Sequence, residues 1–152
     1  MITSKQIRQA LAALIKHKAN LPLQVYFDKV ENAAQSYVRI ALKPMRTDEG
    51  FGVFLRRLRV TMAIVLTPIE GKIRHSDLYD IADKLDVATC GYIQIADRYV
   101  TMYDTDVRIF DDILTYEFML TFADEVDDWE GLSNYDLMQE LTLKTADYEL
   151  KA

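Results

Sequence analysis

The chain has 152 residues, half of them hydrophobic, and its 24 acidic and 18 basic side chains give a net charge of −6. This hydrophobic content is sufficient for one folded core, so disorder over the whole length is excluded and a single domain is expected. The acidic balance argues against a general nucleic-acid-binding protein, which needs a net basic surface.

The sequence offers few residues for disulfide or metal chemistry. Cys90 is the only cysteine, and His17 and His75 are the only histidines. An internal disulfide and a zinc site of the usual Cys/His type are therefore excluded, which fits a reducing compartment, and we expect no metal and no cofactor. The N-terminal residues do not resemble a signal peptide, and the longest apolar run, 60–66, is too short to cross a membrane.

The first predicted element is an amphipathic helix. Thr3 and Gln6 form a capping-box pattern at its start, and Asn20 and Pro22 end it. Its apolar stripe consists of Ile7, Ala10, Leu11, Leu14 and Ile15. A short strand is predicted at 23–27, followed by a polar loop at 28–35.

Two long strands with alternating side chains come next, at 36–46 and 52–67, and form a predicted hairpin. The apolar residues of both strands are even-numbered, so paired residues share a face only if their numbers sum to an even number. The segment Asp48–Gly50 favours a three-residue loop that pairs Thr47 with Phe51 and places Arg39 opposite Arg59. Residues 52–67 would extend about 50 Å, which exceeds a small domain, so we expect a long projecting hairpin at about 36–67.

The second half of the chain is also predicted to contain a helix followed by strands. A helix is predicted at about 76–88, and strands at 92–95, 99–109 and 113–122, with a hairpin connection at 110–112. The order predicts an α+β, two-layer domain in which a mostly antiparallel sheet of hairpins packs against two helices. From residue 124 the sequence becomes acidic and less periodic, so we divide the chain into a domain at 1–123 and an acidic C-terminal extension at 124–152.

Charge is distributed unevenly along the chain. Residues 36–60 contain six basic and two acidic side chains, whereas residues 97–130 contain two basic and eleven acidic ones. Two solvated faces would explain this pattern without any function. The alternative is a subunit or partner interface between a basic hairpin and an acidic surface. The residues assigned to that interface are Arg39, Lys43, Arg56, Arg57, Arg59, Asp124, Glu125, Asp127, Asp128 and Glu130.

Catalytic motifs are scarce. The sequence contains no G-x-S-x-G, no glycine-rich phosphate loop and no H-E-x-x-H. We interpret His75 as a residue that precedes a helix and Cys90 as a small apolar filler. The carboxylates Asp104, Asp106, Asp111 and Asp112 lack the glycine and the terminal glutamate of a calcium loop, and are interpreted as solvated. We therefore expect no enzymatic activity.

Several segments, in their order along the chain, suggest a family. They are IRQALAALIK, LQVYFDKVENAAQSYVRIAL, RRLRVTMAIVLTP, DLYDIADKLDVA and VRIFDDILTYEFMLTF, with DLMQEL near the end. In this series the chain resembles the tail terminator proteins of long-tailed bacteriophages and of phage-derived tail-like elements. The likeness extends over roughly residues 1–123. Asp111 and Asp112 stand where such proteins have a D-G-like turn pair.

The resemblance implies a structural virion protein that caps the tail tube. Such a protein forms a ring, usually a hexamer, stops tube polymerisation and offers a surface to the head connector or neck protein. The implied location is the virion tail, assembled in the cytoplasm of the bacterial host. DNA would only pass through the lumen, without specific binding, and no membrane would be involved. Two alternatives remain open: another neck or tail-assembly adaptor of α+β fold, and a small α+β enzyme or regulator.

Overall fold

The computed structural model describes residues 1–126, which form two helices and a six-stranded sheet. Helix α1 is Ser4–Ala13, continued by a π-helical turn at Leu14–Lys18, and helix α2 is His75–Ala88. The strands are β1 (Gln24–Tyr26), β2 (Tyr37–Gly50), β3 (Val53–Val65), β4 (Tyr92–Ile95), β5 (Arg98–Phe110) and β6 (Ile113–Glu125). Their order in the sheet is β1-β2-β3-β6-β5-β4.

The sheet is mixed, because β1 runs parallel to β2 while the other four neighbouring pairs are antiparallel. The predicted α+β class is confirmed. The predicted two-layer packing and the projection of the hairpin stay predictions.

The start of α1 follows the predicted capping box. The backbone N–H of Gln6 donates to the Thr3 hydroxyl at 3.2 Å, and the backbone N–H of Thr3 donates to Gln6 Oε1 at 2.9 Å. These two bonds satisfy donors that the first turn of a helix otherwise leaves unpaired. The predicted apolar stripe is also confirmed, since Ile7 and Leu11 are buried.

One core joins both helices to the inward face of the sheet. On β6 every second side chain is buried, and β3 follows the same alternation except at the half-buried Arg56, as the period of two in the sequence predicts. The buried side chains of these two strands include Leu58, Val60, Met62, Ile64, Leu114, Phe118 and Leu120. Leu78, Ala82 and Leu85 of α2 belong to the same cluster.

Tyr116 links β6 to the end of α2 through hydrogen bonds of its hydroxyl. It is fully buried, and its hydroxyl donates to Asp86 Oδ1 at 2.6 Å and lies 2.8 Å from the Thr89 hydroxyl. The Thr89 hydroxyl also lies 2.9 Å from the carbonyl oxygen of Leu85. Burial of the phenol, followed by its hydrogen bond to Asp86, raises the pKa of Tyr116 to about 12.

The hairpin of β2 and β3 has the predicted faces but a different register. Thr47 pairs with Leu55, not with Phe51, and Arg39 lies opposite Ala63, not Arg59. The turn consists of Phe51 and Gly52, with φ of 53° and 76°, and a register shift at Asp48–Gly50 replaces the expected three-residue loop. A displacement of four residues keeps every side chain on its face, so alternation alone could not exclude it.

Strand β6 is longer than predicted and flanks the hairpin. It pairs with β3 from Val53 opposite Glu125 to Ile64 opposite Leu114, so the basic hairpin is part of a three-stranded unit. Asp124 and Glu125, which the sequence analysis assigned to the acidic extension, are the last residues of this strand. The remainder of that extension, 127–152, lies outside the described residues.

Candidate interaction surface

Four cations lie on the outer face of the β2–β3 hairpin, on the side of the sheet opposite the core. Arg39 and Lys43 of β2 and Arg57 and Arg59 of β3 are all exposed, and we call these four residues the basic face. They lie there because they occupy odd-numbered positions, whereas the buried residues of both strands, such as Ile40, Leu58 and Val60, occupy even-numbered ones. Within residues 1–126, none of the four forms a salt bridge.

The basic face contains like charges in direct opposition. Lys43 lies opposite Arg59, an arrangement that is unfavourable across a strand pair. On the other side of β3, Arg59 is opposite Met119 and Arg57 is opposite Thr121, so neither faces a carboxylate directly. A partner that brings carboxylates to this face would relieve the repulsion.

Arg56 does not belong to the basic face, although the sequence analysis assigned it to the same interface. Its side chain is 17% exposed, and its guanidinium donates to the carbonyl oxygen of Ile2 at 2.7 Å. It also lies over the ring of Phe122, 5.4 Å from the centroid. Because Arg56 occupies an even-numbered position in β3, it lies on the inward face, where the N-terminal residues of the same chain cover it.

Asp124 is the partner of Arg56 inside the subunit. Its side chain is 5% exposed, and its carboxylate accepts the backbone N–H of Ile2 at 2.8 Å and that of Glu125 at 2.9 Å. Nη1 of Arg56 lies 4.0 Å from this carboxylate and Nη1 of Arg98 lies 3.8 Å from it. Asp124 is therefore buried within the subunit, and its assignment to an intersubunit contact stays a prediction.

The parity of β6 explains the burial of Asp124. Phe118, Leu120, Phe122 and Asp124 alternate along the strand, so they point to the same inward face. This signal was present in the sequence and was overlooked because the acidic run from residue 124 suggested a loop. Arg98 was missed for another reason, since its contact with Asp124 depends on the positions of β5 and β6 in the sheet.

The other predicted interface carboxylates have different outcomes. Glu125 is exposed at the end of β6, opposite Val53. Asp127, Asp128 and Glu130 lie outside the described residues. The structure thus brings the four cations of the basic face together and separates Arg56 and Asp124 from them.

Of the groups considered for chemistry, His75 and Asp112 contact each other. His75 Nε2 lies 2.8 Å from Asp112 Oδ1, which links the start of α2 to the β5–β6 turn at the surface. Cys90 is an exposed free thiol, so its interpretation as a small apolar filler is wrong. Residues 1–126 contain no group of three or more His, Cys, Asp or Glu side chains placed to hold a metal ion. A cleft of about 460 Å³ lies between the N-terminal residues and the hairpin, and it is lined by Met1, Ile2, Thr3, Ser4, Pro44, Met45, Arg46, Phe54 and Arg56.

Comparison with known protein families identifies the chain. A profile described as phage tail terminator protein matches residues 6–131, which is most of the sequence. The chain belongs to this family. A comparison with curated proteins gives no match.

Membership of the tail terminator family confirms the resemblance inferred from the sequence. Tail terminators are structural proteins of bacteriophage tail assembly and do not form an enzyme family, which agrees with an exposed charged surface as the candidate site. Among the described residues of this tail terminator, no helix has the length and apolar character needed to span a membrane.

Proposed function

We propose that the protein assembles as a homo-oligomeric ring, with six subunits as the expected number, on the end of the phage tail tube. The ring stops tube polymerisation and presents a surface to the head connector or neck protein. Its location is the virion tail, and its assembly takes place in the cytoplasm of the bacterial host. Membership of the tail terminator family supports this proposal.

The observation that best supports a ring is the basic face. A closed ring uses heterologous contacts, so each subunit needs two different surfaces that are complementary to each other. Arg39, Lys43, Arg57 and Arg59 supply one of them, because they are exposed and have no carboxylate partner within residues 1–126. The complementary surface is an acidic surface of a neighbouring subunit or of the tube. On a neighbouring subunit, Glu125, Asp127, Asp128 and Glu130 contribute to it.

A rival role for the basic face is to line the lumen through which DNA passes. Basic side chains would attract phosphate along that path, and strong continuous attraction would slow the passage of DNA. For this reason we favour the contact between subunits. In either case DNA passes through the ring without specific binding.

The first experiment measures molar mass. Multi-angle light scattering of the purified protein, alone and mixed with tail tube protein, should show a cyclic assembly in at least one of the two samples. A strict monomer in both would refute the ring. A one-to-one complex with tube protein that does not grow further would favour the second candidate, an adaptor of the neck or tail.

The second experiment tests the basic face. The double variant Arg57→Glu and Arg59→Glu should reduce the assembled fraction, because it converts two attractions into repulsions. Lys5→Glu with Lys16→Glu is a matched control, since it reverses two exposed cations on the N-terminal helix. An assembled fraction equal to that of the unchanged protein in the Arg57 and Arg59 variant would rule out the contact between subunits and favour the lumen.

A further inference from the structure

The sheet has a long open edge on each side. Strand β1 covers only residues 37–39 of the 14-residue strand β2, and strand β4 covers only residues 98–101 of the 13-residue strand β5. Within the described part of the chain, the outer edges of β2 at 40–50 and of β5 at 103–110 therefore have no strand beside them. Open edges of this kind are templates for pairing with another chain, so proteins protect them or pair them.

The two edges are stepped in opposite senses. One row of paired residues across the sheet consists of Lys43 of β2, Arg59 of β3, Met119 of β6 and Tyr103 of β5. Relative to this row, β2 is open mainly towards the β2–β3 turn, since β1 covers its other end. In contrast, β5 is open towards the β5–β6 turn, since β4 covers its other end. The gap beside one edge therefore matches the short strand beside the other edge.

The positions of the short strands along the sheet fit these gaps. Strand β1 lies level with residues 108–110, because one row consists of Val25, Val38, Ile64, Leu114 and Ile109. Strand β4 lies level with residues 45–48, because Ile95 pairs with Arg98 and Nη1 of Arg98 lies 3.8 Å from the Asp124 carboxylate. From there the row continues through Phe54 to Asp48. Rotation about an axis along the strands would thus place β1 of one subunit and β4 of the next in a single strand position.

The side chains that would meet at the two ends of this position are of the same kind. At one end Val25 would lie beside Ile109, and both are partly buried at the margin of their own core. At the other end Tyr92 would lie beside Met45, and they are 58% and 43% exposed. Methionine sulfur makes favourable contacts with aromatic rings. Because Lys18 Nζ already donates to the carbonyl oxygen of Tyr92 at 3.2 Å, the contact at Tyr92 would use its side chain.

The irregular positions of both edges fall between these two contacts. Pro44 of β2 has no backbone N–H to donate, and β5 has a bulge between Tyr103 and Asp106. Both features hinder the addition of a strand. They lie in the middle of the edges, which neither β1 nor β4 of a neighbour would cover. The regular stretches, 45–48 and 108–110, are the ones that would be covered.

The uncovered middle would also bring opposite charges together. Asp106 is exposed and forms no salt bridge within residues 1–126. Through Glu117 and Thr61 it lies in one row with Ala41, so on a neighbour it would be level with the interval between Arg39 and Lys43. Two strand spacings, about 10 Å, separate these backbones, and lysine and arginine side chains cover much of that distance. The basic face would thus gain a carboxylate from the next subunit.

We propose that neighbouring subunits of the ring join through these two stepped edges. Strand β1 of one subunit pairs with residues 108–110 of the next, and β4 of that second subunit pairs with residues 45–48 of the first. The sheet then continues from subunit to subunit, and both edges are closed except in their irregular middle parts. This inference rests on the proposed ring and specifies the backbone segments that form its contact.

Disulfide formation tests the contact at β4. The full-length protein carries Met45→Cys and Tyr92→Cys, together with Cys90→Ser, which removes the exposed native thiol. Within one subunit β2 and β4 are four strand positions apart, about 19 Å, which is far beyond the range of a disulfide. In the proposed contact the two strands are neighbours, about 5 Å apart. Mild oxidation of the assembled protein should therefore link subunits into a ladder of covalent oligomers on a non-reducing gel.

The matched control is Ala41→Cys with Tyr92→Cys in the same Cys90→Ser background. Ala41 is exposed on the same edge, about 13 Å from Met45 along the strand. We expect about tenfold less linked product, because a disulfide needs Cα atoms within about 7 Å. Equal yields from the Met45 and Ala41 pairs would overturn the proposal. Linked dimers from Met45→Cys alone would mean that two β2 edges meet, which would overturn it as well.

A second pair tests the other end of the contact. Tyr26→Cys with Arg108→Cys, again with Cys90→Ser, should give the same ladder, since Tyr26 lies level with Arg108. This pair also decides the outcome if the Met45 and Tyr92 variant folds by circular dichroism but does not assemble. Absence of linked product from assembled protein of the Tyr26 and Arg108 variant would then overturn the proposal.

Light scattering of the same samples separates this contact from the ring itself. Assembled protein without the specific links would leave the ring standing and overturn the edge contact, and this result is also expected if another part of the chain or another protein covers the edges. A strict monomer, both alone and with tail tube protein, would refute the ring and this contact with it. Assembled protein with both links, and without the Ala41 link, would support both proposals.

Discussion

Replacement of Asp124 by alanine should destabilise the subunit more than any other change on the acidic end of β6. The carboxylate is 5% exposed, accepts two backbone N–H groups and lies within 4.0 Å of the guanidinium groups of Arg56 and Arg98. Alanine removes the acceptor and leaves the N–H of Ile2 and the charge of Arg56 in a partly buried place. The contact that holds the N-terminal residues against the sheet is then lost.

The magnitude follows from the geometry. Removal of one partner of a buried ion pair typically costs about 3–5 kcal/mol. For Asp124→Ala, the loss in the free energy of unfolding should lie near the lower limit, about 3 kcal/mol. The reason is that Arg56 and Arg98 retain contact with water and lie near the largest distance that still counts as a salt bridge. Asp124→Asn keeps the shape and one acceptor oxygen, so we expect a loss of about 1.5 kcal/mol. For a domain of this size, 3 kcal/mol corresponds to a fall of about 10 °C in the thermal midpoint.

Urea unfolding followed by circular dichroism measures this loss. Glu125→Ala is the control, since Glu125 is the neighbouring carboxylate on the same strand and its side chain is exposed. An exposed substitution of this kind should change the free energy of unfolding by less than about 0.5 kcal/mol. If Asp124→Ala and Glu125→Ala have the same small effect, the carboxylate of Asp124 is solvated and the inferred cluster does not stabilise the subunit.

Three further predictions concern the fold. The pKa of Tyr116 is raised to about 12 from an ordinary value of 10.0, so the folded state holds this proton more tightly than the unfolded state does. The resulting contribution to the free energy of unfolding, roughly 2–3 kcal/mol, is complete below pH 10 and is lost between pH 10 and 12. Alkaline unfolding should therefore be steeper than that of Tyr116→Phe, and identical pH profiles of the two proteins would contradict the assignment. Met62→Ala should cost about 2–4 kcal/mol in urea unfolding, because Met62 is fully buried in β3; a loss below 1 kcal/mol would mean that the site collapses or is accessible to water. Ala96 has φ of 55° in the β4–β5 turn, a conformation that glycine adopts more easily than alanine. Ala96→Gly should therefore increase the free energy of unfolding by about 0.5 kcal/mol and raise the urea midpoint. A lower midpoint would show that the turn is not strained.

Local patterns in the sequence determined the elements and their faces. The capping box at Thr3 and Gln6 and the strand Tyr92–Ile95 are found where they were predicted, because both depend on residues close in sequence. Alternation likewise placed Arg57 and Arg59 on the outer face of β3. It could not determine the register of the hairpin, since displacement by an even number of residues leaves each face unchanged.

The candidate site was only partly predictable for a similar reason. The sequence by itself determined that a basic hairpin exists, that Arg57 and Arg59 point away from the core, and that acidic residues follow the last strand. Only the tertiary structure decided that Arg56 and Asp124 are partners within one subunit, because their contact needs β6 beside β3 and the backbone of Ile2 above both. Alternation gives the direction of a side chain relative to its own strand. The burial of a charge depends on what other parts of the chain cover that side chain, and this is a property of the assembled fold.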